Sequence, residues 1–259
     1  MSLEIKEIVK KTYTDAVLNE SCCNTSCCND DQDITFSENY SGINGYDENA
    51  DYGLGCGIPT EFAKIKKGDS VLDLGSGAGN DVFVAQSIVG KNGHVIGVDM
   101  TEAMVERANE NKTKLGLNNV EFLLGEIEKL PIIDSSIDVV ISNCVMNLVP
   151  DKNLAYSEVF RVLKLNGHIS ISDIVLSGEL PPKIKTAAQM YAGCISGAMN
   201  KVDYLNTIEN AGFKNIEVVK ERELYLPDEM LLQYITPEEL IEYRRSESVI
   251  SSVTVYAEK

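Results

Sequence analysis

The sequence predicts a doubly wound α/β fold, built on a mostly parallel, seven-stranded, Rossmann-like sheet whose last strand is reversed. Three observations predict this fold. From residue 70 onward, short apolar segments alternate with segments whose apolar residues recur at helical spacing. The first apolar segment, SVLDLG, ends in a glycine-rich turn that leads into a helix. The chain closes with two strand-like segments, NIEVVKERELYL and SVISSVTVYAEK, which are expected to be antiparallel neighbours.

The strands and helices follow one another in a regular order. The strands before the two closing segments are predicted at SVLDLG, HVIGVDM, NVEFLLGE, IDVVISNCV and GHISISDIV. The helices are predicted at residues 3–17, at NDVFVAQSIVG, from Thr101 to about Leu115, from Asp151 to Leu163, and around residues 201–211. Thr101 is a suitable N-cap, and Gly116 is typical of the residue just beyond a helix end.

The composition divides the chain into four segments. Residues 1–57 are expected to form an N-terminal helix and a cysteine-rich cap, since residues 18–55 are rich in Asn, Ser, Asp, Gly and Cys and lack periodicity. Residues 58–176 are expected to form the Rossmann-like core. Residues 177–200 contain two prolines and then an apolar, helix-like run, which predicts an insertion over the active site. Residues 201–259 are expected to complete the sheet.

The chain is strongly acidic, with a net charge of −17 over 259 residues. This charge argues against a nucleic-acid partner and against an anionic membrane surface, because both attract Lys and Arg. The N-terminus lacks the apolar core of a signal peptide, and no run of about eighteen apolar residues could span a bilayer. The seven cysteines are an odd number without an export signal, which predicts reduced thiols in a cytoplasmic protein.

The segment VLDLGSGAGND is the strongest indication of a ligand site. Asp73, Gly75, Gly77 and Gly79 lie where the first strand turns into its helix, and glycines there let the backbone approach a ligand closely. The Gly-x-Gly-x-Gly spacing differs from the Gly-x-Gly-x-x-Gly of dinucleotide-binding folds. The alternative interpretation is a tight strand–helix turn that binds nothing.

Two later segments fit a nucleotide-like cofactor. Asp99 ends the second strand, where a carboxylate can accept hydrogen bonds from both hydroxyls of a ribose. The alternative for Asp99 is a role in starting the next helix. Glu126 and Ile127 follow the third strand, where their backbone and carboxylate groups would meet the edge of an adenine. The alternative for them is a solvated loop.

Together these segments resemble the class I methyltransferases that use S-adenosylmethionine. DLGSGAG, GVDM, GEIEKLP and FRVLKLNG match the pattern of that family in order, over about residues 58–259. The resemblance implies a methyltransferase sheet and an S-adenosylmethionine cofactor bound to the core. It implies that Asp73 and the glycines position the methionine part, Asp99 binds the ribose, Met100 packs on the adenine, and Glu126 and Ile127 hold the adenine edge. Asn143 completes the expected set of cofactor-binding residues.

Three cysteines far apart in the sequence are expected to converge on this site. Cys56 precedes the first strand, Cys144 lies at the carboxyl end of the fourth, and Cys194 lies in the insertion. Ligands of open α/β sheets bind outside the carboxyl ends of the strands, so the three thiols could meet over the cofactor. The alternative for each cysteine is a small, buried, apolar side chain.

The sequences around these cysteines resemble the arsenite methyltransferases, which methylate trivalent arsenic. The matching segments are LGCG before the glycine turn, SNCVMNLVPDK and AGCISGA. The resemblance implies that Cys56, Cys144 and Cys194 bind arsenic(III) as the substrate, and that a cysteine pair near the N-terminus accompanies them. Two such pairs are present, Cys22–Cys23 and Cys27–Cys28.

The chemistry of arsenic agrees with this set of thiols. Arsenic(III) is soft and thiophilic, and three thiolates would hold it in a pyramid with its lone pair free to attack a sulfonium methyl group. No proton has to be removed, which suits a chain with only two histidines, His94 and His168, both expected to be structural. The expected substrate is arsenite or its thiol conjugate, methylated for detoxification, with a thiol reductant as partner.

Other interpretations stay open on the sequence alone. The four N-terminal thiols are interpreted as a capture segment that delivers arsenic to the active site. The alternatives are an inert tail and a zinc tetrathiolate, although structural zinc favours C-x₂₋₄-C pairs over adjacent cysteines. For the whole chain, the alternatives are a small-molecule methyltransferase of the quinone-biosynthesis type and a thiol protein that binds metalloids without catalysis.

Overall fold

The computed structural model describes residues 2–18, 36–186 and 197–259, and within them the chain forms one mixed sheet. Its strands are β1 (Ser70–Leu74), β2 (His94–Asp99), β3 (Val120–Leu124), β4 (Ile137–Asn143), β5 (Leu163–Ser177), β6 (Met199–Asn200), β7 (Lys214–Leu224) and β8 (Val249–Glu258). The long strands lie in the order β3-β2-β1-β4-β5-β8-β7, and the two-residue β6 pairs with β5. Strand order reverses between β1 and β4, and ligands of doubly wound sheets bind at that point.

The direction of the strands confirms the predicted sheet. Neighbouring strands from β3 to β5 are parallel, whereas β8 is antiparallel to both β5 and β7. Strand β8 can therefore follow β7 without a crossover, because antiparallel neighbours need only a local connection. Strand β8 has a neighbouring strand on each side and is covered on both faces, so its residues 250–257 are buried.

Helices cover both faces of the sheet. They are α1 (Ser2–Leu18), α2 (Pro59–Phe62), α3 (Asn80–Val89), α4 (Glu102–Leu115), α5 (Lys152–Val162), α6 (Pro182–Thr186), α7 (Lys201–Asn210), α8 (Asp228–Leu231) and α9 (Pro237–Arg245). Successive residues of a strand point to opposite faces, and the buried clusters follow this alternation. Val71 and Val139 pack with α3 and α4, whereas Leu72 and Val140 pack with α5 and α7.

The predicted strands and helices agree with the observed ones to within about two residues, except at β5. Strand β5 begins earlier than predicted because Leu163 already pairs with Ile137, ahead of an irregularity in the register. Helices α2, α8 and α9 and the two-residue strand β6 have no predicted counterpart. Helix α9 nevertheless has a sequence signal, because Thr236 and Glu239 form a capping box at its start.

Some predictions fall on residues outside the described part of the chain. These are the predictions for Cys22, Cys23, Cys27, Cys28 and Cys194. The division into a cap, a core, an insertion and a C-terminal completion also stays a prediction. Among the described residues, no helix is both long enough and apolar enough to cross a membrane.

Candidate functional site

A cavity that is open to solvent lies at the carboxyl ends of β1, β2 and β4, and the empty space within and in front of it is about 1130 Å³. Helix α1 and residues 37–55 contribute further lining. The cavity therefore lies where the strand order reverses, which is where ligands of doubly wound sheets bind. Eight of the nine predicted cofactor-binding residues line it, namely Asp73, Gly75, Gly77, Asp99, Met100, Glu126, Ile127 and Asn143. The ninth, Gly79, is buried and is not part of the lining.

The turn after β1 needs glycine at two positions. Gly75 has a φ of 63°, and a Cβ there would lie 2.6 Å from both Cγ atoms of Val145. Gly79 has a φ of 103°, and a Cβ there would lie 2.8 Å from the rings of Phe83 and Phe122. Backbone conformation and lack of space both exclude a side chain at these positions. The turn can therefore follow the cavity wall closely.

Asp99 connects the glycine turn with the start of α4. Its Oδ2 accepts a hydrogen bond from the backbone N–H of Gly77 at 3.0 Å. Its Oδ1 accepts one from the backbone N–H of Thr101 at 2.8 Å. Asp99 therefore holds two backbone segments in place as well as lining the cavity, so the ribose role and the helix-start role predicted for it are compatible.

The buried carboxyl groups of Asp73 and Asp81, with that of the half-buried Asp99, give the cavity its electrostatic character. Burial raises the pKa of Asp73 well above its usual range, and the neighbouring Asp81 and Asp99 raise it further. Burial also raises the pKa of Asp81 to about 6, although hydrogen bonds from Asn143 and Tyr40 oppose the shift. A nearby cation favours the ionised form of a carboxyl group. The cavity is therefore suited to a positively charged ligand.

Asn143, at the end of β4, joins three segments around the cavity. Its Oδ1 accepts hydrogen bonds from the backbone N–H groups of Cys56 and Gly57, at 3.0 and 3.2 Å. Its Nδ2 donates to Asp81 Oδ2 at 3.1 Å and to the hydroxyl of Tyr40 at 2.9 Å. The Tyr40 hydroxyl lies 2.9 Å from Asp81 Oδ1 and donates to it. Asn143 thus fixes the backbone at Cys56 relative to the first turn of α3.

Cys144 and Cys56 are the two predicted arsenic ligands within the described residues. Cys144 follows Asn143 directly, lines the cavity and has 4% of its surface exposed. Cys56 has no exposed surface and is not part of the cavity lining. Both belong to one apolar cluster, which also contains Ile174 and Leu176. The structure therefore brings two thiols to the same region, with Cys144 bordering the cavity.

Among the described residues, neither a metal-type ligand cluster nor a histidine contributes to the cavity. Residues 2–18, 36–186 and 197–259 contain no group of three His, Cys, Asp or Glu side chains arranged to hold a metal ion. His168 Nε2 lies 2.6 Å from the carbonyl oxygen of Ala63, and His94 Nε2 lies 3.6 Å from the carboxylate of Glu121. Neither histidine lines the cavity, which agrees with the structural role expected for both.

Helix α1 covers part of the cavity. Lys6, Val9 and Tyr13 contribute to the lining. The Nζ of Lys6 lies 2.8 Å from Glu126 Oε2 and 3.1 Å from Glu128 Oε2. The hydrogen bond from Lys6 lowers the pKa of Glu126. The side chain of Glu126, expected at an adenine edge, is therefore already paired with α1.

Tyr40, Asp81 and Lys6 are site residues that are not among those predicted from the sequence. Asp81 had a usable signal, because it stands in the first turn of the helix that follows the glycine turn. Tyr40 lies in an irregular segment, and Lys6 lies on a separate helix. Neither belongs to a local motif, so only the folded chain shows that they reach the cavity.

Two buried polar atoms of the lining have no hydrogen-bond partner among the described residues. They are Ser76 Oγ and Asn80 Oδ1. Buried polar atoms are normally hydrogen-bonded, so unpaired ones at a cavity indicate a ligand or water that completes them. Together with the carboxylates, they suit a ligand that carries positive charge and several polar groups.

Comparisons with known proteins agree with this geometry. A family model described as a methyltransferase domain matches residues 65–212. An arsenite methyltransferase from Halobacterium salinarum is 40% identical over 85% of this chain and 60% of that protein. A demethylmenaquinone methyltransferase from Listeria monocytogenes is 34% identical over 44% of this chain and 48% of that protein. The chain therefore spans less than two thirds of either curated relative.

A solved structure gives the same result for the fold. It is that of an arsenic (III) S-adenosylmethionine methyltransferase from Chlamydomonas reinhardtii. The TM-score is 0.68 at 36% sequence identity, and the match covers 79% of this chain and 67% of that one. This similarity confirms the Rossmann-like sheet predicted from the sequence.

Proposed function

The chain belongs to the methyltransferase domain family, and from that premise we propose that it is an S-adenosylmethionine-dependent enzyme that methylates trivalent arsenic held by cysteine thiolates. The observation that carries the proposal is Cys144, a buried thiol in the cavity lining directly after β4. Thiolates are the preferred ligands of soft ions, so a cysteine beside the methyl donor suits a soft acceptor. Similarity to arsenite methyltransferases over most of the chain supports the same acceptor.

The cavity residues fit S-adenosylmethionine in charge and in hydrogen-bonding capacity. The ammonium and sulfonium groups of the cofactor would stabilise the crowded carboxylates of Asp73 and Asp81. Its polar groups would complete Ser76 Oγ and Asn80 Oδ1. When bound, the cofactor supplies an electrophilic methyl group.

In this proposal, the predicted cofactor-binding residues contact different parts of S-adenosylmethionine. Asp73 and the glycine turn hold the methionine part, Asp99 holds the ribose, and Met100, Ile127 and the backbone at Glu126 hold the adenine. Asn143 keeps the cavity wall in place through its bonds to Asp81 and to the backbone at Cys56. These roles rest on the position of the residues in the lining.

Cys144 and Cys194 are the proposed core ligands of arsenic(III), and Cys56 is the proposed third ligand. Two observations support the assignment of Cys56. It belongs to the same apolar cluster as Cys144, and its backbone N–H donates a hydrogen bond to Asn143, the residue that precedes Cys144. Three thiolates suit the soft ion and leave its lone pair unshared. Binding displaces the thiol protons, so the reaction needs no strong base among the side chains.

A choice between acceptors tests the proposal against its nearest rival, methylation of a quinone precursor. The reduced protein and S-adenosylmethionine are incubated with arsenite and a thiol, or with a demethylated quinone. We expect S-adenosylhomocysteine to be released in the incubation with arsenite and the thiol, and not in the incubation with the quinone. Release of S-adenosylhomocysteine only in the incubation with the quinone would assign the chain to the quinone-methylating class. Arsenite binding without any S-adenosylhomocysteine would indicate a metalloid-binding thiol protein.

The cysteines Cys22, Cys23, Cys27 and Cys28 are proposed to capture arsenic and pass it to the active site. The chain enters this segment from α1, which lines the cavity, and leaves it at Phe36, which packs on the cluster that contains Cys144. Replacing all four cysteines with serine should raise the KM for arsenite several-fold, with kcat at saturating arsenite retained. An unchanged KM and an unchanged arsenite dissociation constant would rule the capture role out.

Cofactor affinity should fall as the pH is lowered through about 6, because burial raises the pKa of Asp81 to about 6. In the ligand-free protein the carboxyl group of Asp81 is therefore protonated below this pH, whereas a bound cation favours its ionised form. Binding should release protons between about pH 5 and pH 7 and be tightest above that range. Calorimetric titration in two buffers of different ionisation enthalpy measures this release. An affinity that does not vary with pH would contradict it, and Asp81→Asn should flatten the profile.

The proposed setting is a reducing cytoplasm, where the enzyme would detoxify arsenite. Adjacent cysteines and a thiolate site stay available for arsenic only if they are kept reduced. A thiol reductant is therefore the expected partner. Arsenite itself or its thiol conjugate is the expected substrate.

A further inference from the structure

The segment after β4 presents Cys144 to the cavity in an unusual backbone conformation. Cys144 has a φ of 63°, in the left-handed region that residues with a side chain rarely adopt. A 3₁₀ turn, Met146–Leu148, follows immediately. Cys144, Leu148 and Val149 all border the cavity. Such a conformation persists only where the surrounding structure imposes it.

Asn147 ties the 3₁₀ turn to β5. Its Nδ2 donates to the carbonyl oxygen of Ile174 at 2.6 Å. One turn of chain before it, the N–H of Cys144 donates to the carbonyl oxygen of Ser172 at 2.7 Å. From the other side, Lys152 Nζ donates to the carbonyl oxygen of Asn147 at 3.3 Å. The segment is therefore held against β5 at two positions and against the start of α5 at a third.

The carboxylate of Asp173, on β5, also binds the 3₁₀ turn. It has no exposed surface, and its Oδ1 accepts a hydrogen bond from the N–H of Ile174 at 3.0 Å. The N–H of Asn147 also donates to this carboxylate. Its Oδ2 accepts from the hydroxyl of Tyr204 at 3.4 Å, and Tyr204 in turn accepts from Tyr156 at 2.9 Å. Asp173 thus links the turn to helices α5 and α7.

These two polar side chains are costly to bury, and the cofactor cavity does not use them directly. Neither Asn147 nor Asp173 is among the described residues that line the cavity. Asn147 Oδ1 has no hydrogen-bond partner in the described chain. Burial raises the pKa of Asp173 to about 7. Apolar residues would fill such positions at a lower cost, so their presence points to a requirement other than stability.

We propose that Asn147 and Asp173 are positioning residues, which fix the segment after β4 so that the thiol of Cys144 is presented to arsenic beside the cofactor. The inference rests on the proposed function, because it concerns the binding of its acceptor. It predicts that loss of either residue weakens arsenic binding selectively. Cofactor binding depends on the glycine turn and the end of β2, which these two residues do not contact in the hydrogen bonds described above.

Asn147→Ala is the variant that tests the proposal, with Asn119→Ala as the matched control. Asn119 Nδ2 donates to the carbonyl oxygens of Gly90 and Gly93, each at 2.9 Å. It therefore also fixes a loop, but at the amino end of the sheet, away from the cavity. Both variants should lose some thermal stability, whereas only Asn147→Ala should affect the arsenic site.

The readout separates a positioning role from a purely structural one. Asn147→Ala should raise the arsenite KM and dissociation constant about tenfold and leave the S-adenosylmethionine dissociation constant within about twofold of the wild type. Asp173→Asn keeps the shape and one acceptor but removes the charge, so a smaller rise of about threefold is expected. Asn119→Ala should leave both constants within about twofold.

Two results would overturn the inference: an unchanged arsenite constant in folded Asn147→Ala, or equal losses of arsenite and cofactor binding. If Asn147→Ala does not fold, the isosteric Asp173→Asn decides by the same criteria. The wild type in the same assay tests the proposed function separately. A wild type that neither binds nor methylates arsenite would refute the proposed function itself.

Discussion

Cys144→Ser is expected to abolish arsenic methylation while cofactor binding is retained. A serine hydroxyl is a hard donor that stays protonated at neutral pH, so it is a poor ligand for soft arsenic(III). The substitution keeps the backbone, including the hydrogen bond from residue 144 to the Ser172 carbonyl oxygen. Turnover should fall below about one hundredth of the wild-type value, since even loss of an outer-shell partner of a metal ligand can cost about 10–100-fold. Methylated arsenic and calorimetric cofactor binding are the two measurements.

Cys144→Ala is the companion variant for this prediction. Alanine has neither the thiol of cysteine nor the hydroxyl of serine. Equal losses of methylation activity in the two variants would therefore show that the reaction requires the sulfur atom. Full methylation activity in Cys144→Ser would remove Cys144 from the ligand set. A parallel loss of cofactor affinity would mean that the substitution disturbs the cavity rather than the acceptor.

Gly75→Ala is expected to remove cofactor binding. Its φ of 63° is unfavourable for alanine by about 1–2 kcal/mol, as the left-handed conformation generally is. The new Cβ would also lie 2.6 Å from both Cγ atoms of Val145. Val145 is branched and adjoins Cys144, so its displacement would distort both the glycine turn and the segment after β4 that contains Cys144. The cofactor dissociation constant should rise by at least about tenfold, equivalent to about 1.4 kcal/mol.

Gly116→Ala is the matched control for Gly75→Ala. Gly116 has a φ of 67°, but a Cβ there meets nothing within 4 Å. Both variants should therefore lose similar stability from the backbone term, while only Gly75→Ala should lose cofactor affinity. Similar cofactor constants in Gly75→Ala, Gly116→Ala and the wild type would contradict the part assigned to the glycine turn.

The sheet and the position of the glycine turn at the cavity could be predicted because their signals are local. Short apolar segments define parallel strands, and the glycines of VLDLGSGAGND lie where backbone conformation and space demand them. The position of Asp99 in the cavity lining could be predicted because this residue ends a strand next to that turn, while its role in binding the ribose stays a prediction. In each case the physical cause lies within a few residues of the signal. The resemblance to arsenite methyltransferases then depended on the segments around three cysteines.

The remaining parts of the site depend on contacts between distant segments. Tyr40 reaches Asp81 and Asn143 from an irregular stretch of chain, and Lys6 reaches Glu126 from a separate helix. No periodicity or spacing encodes such contacts. Likewise, the buried Asp173 stands in the apolar-looking segment GHISISDIV, where its partners on α7 cannot be read from the sequence.

The central claim is that this chain transfers methyl groups to arsenic, and one stoichiometric assay tests it most directly. The reduced wild-type protein is incubated with arsenite, a thiol and S-adenosylmethionine, and methylated arsenic and S-adenosylhomocysteine are quantified together. Equal amounts of methyl groups on arsenic and of S-adenosylhomocysteine are predicted. Bound cofactor with neither product would contradict the arsenic claim and leave a methyltransferase whose acceptor is a different small molecule.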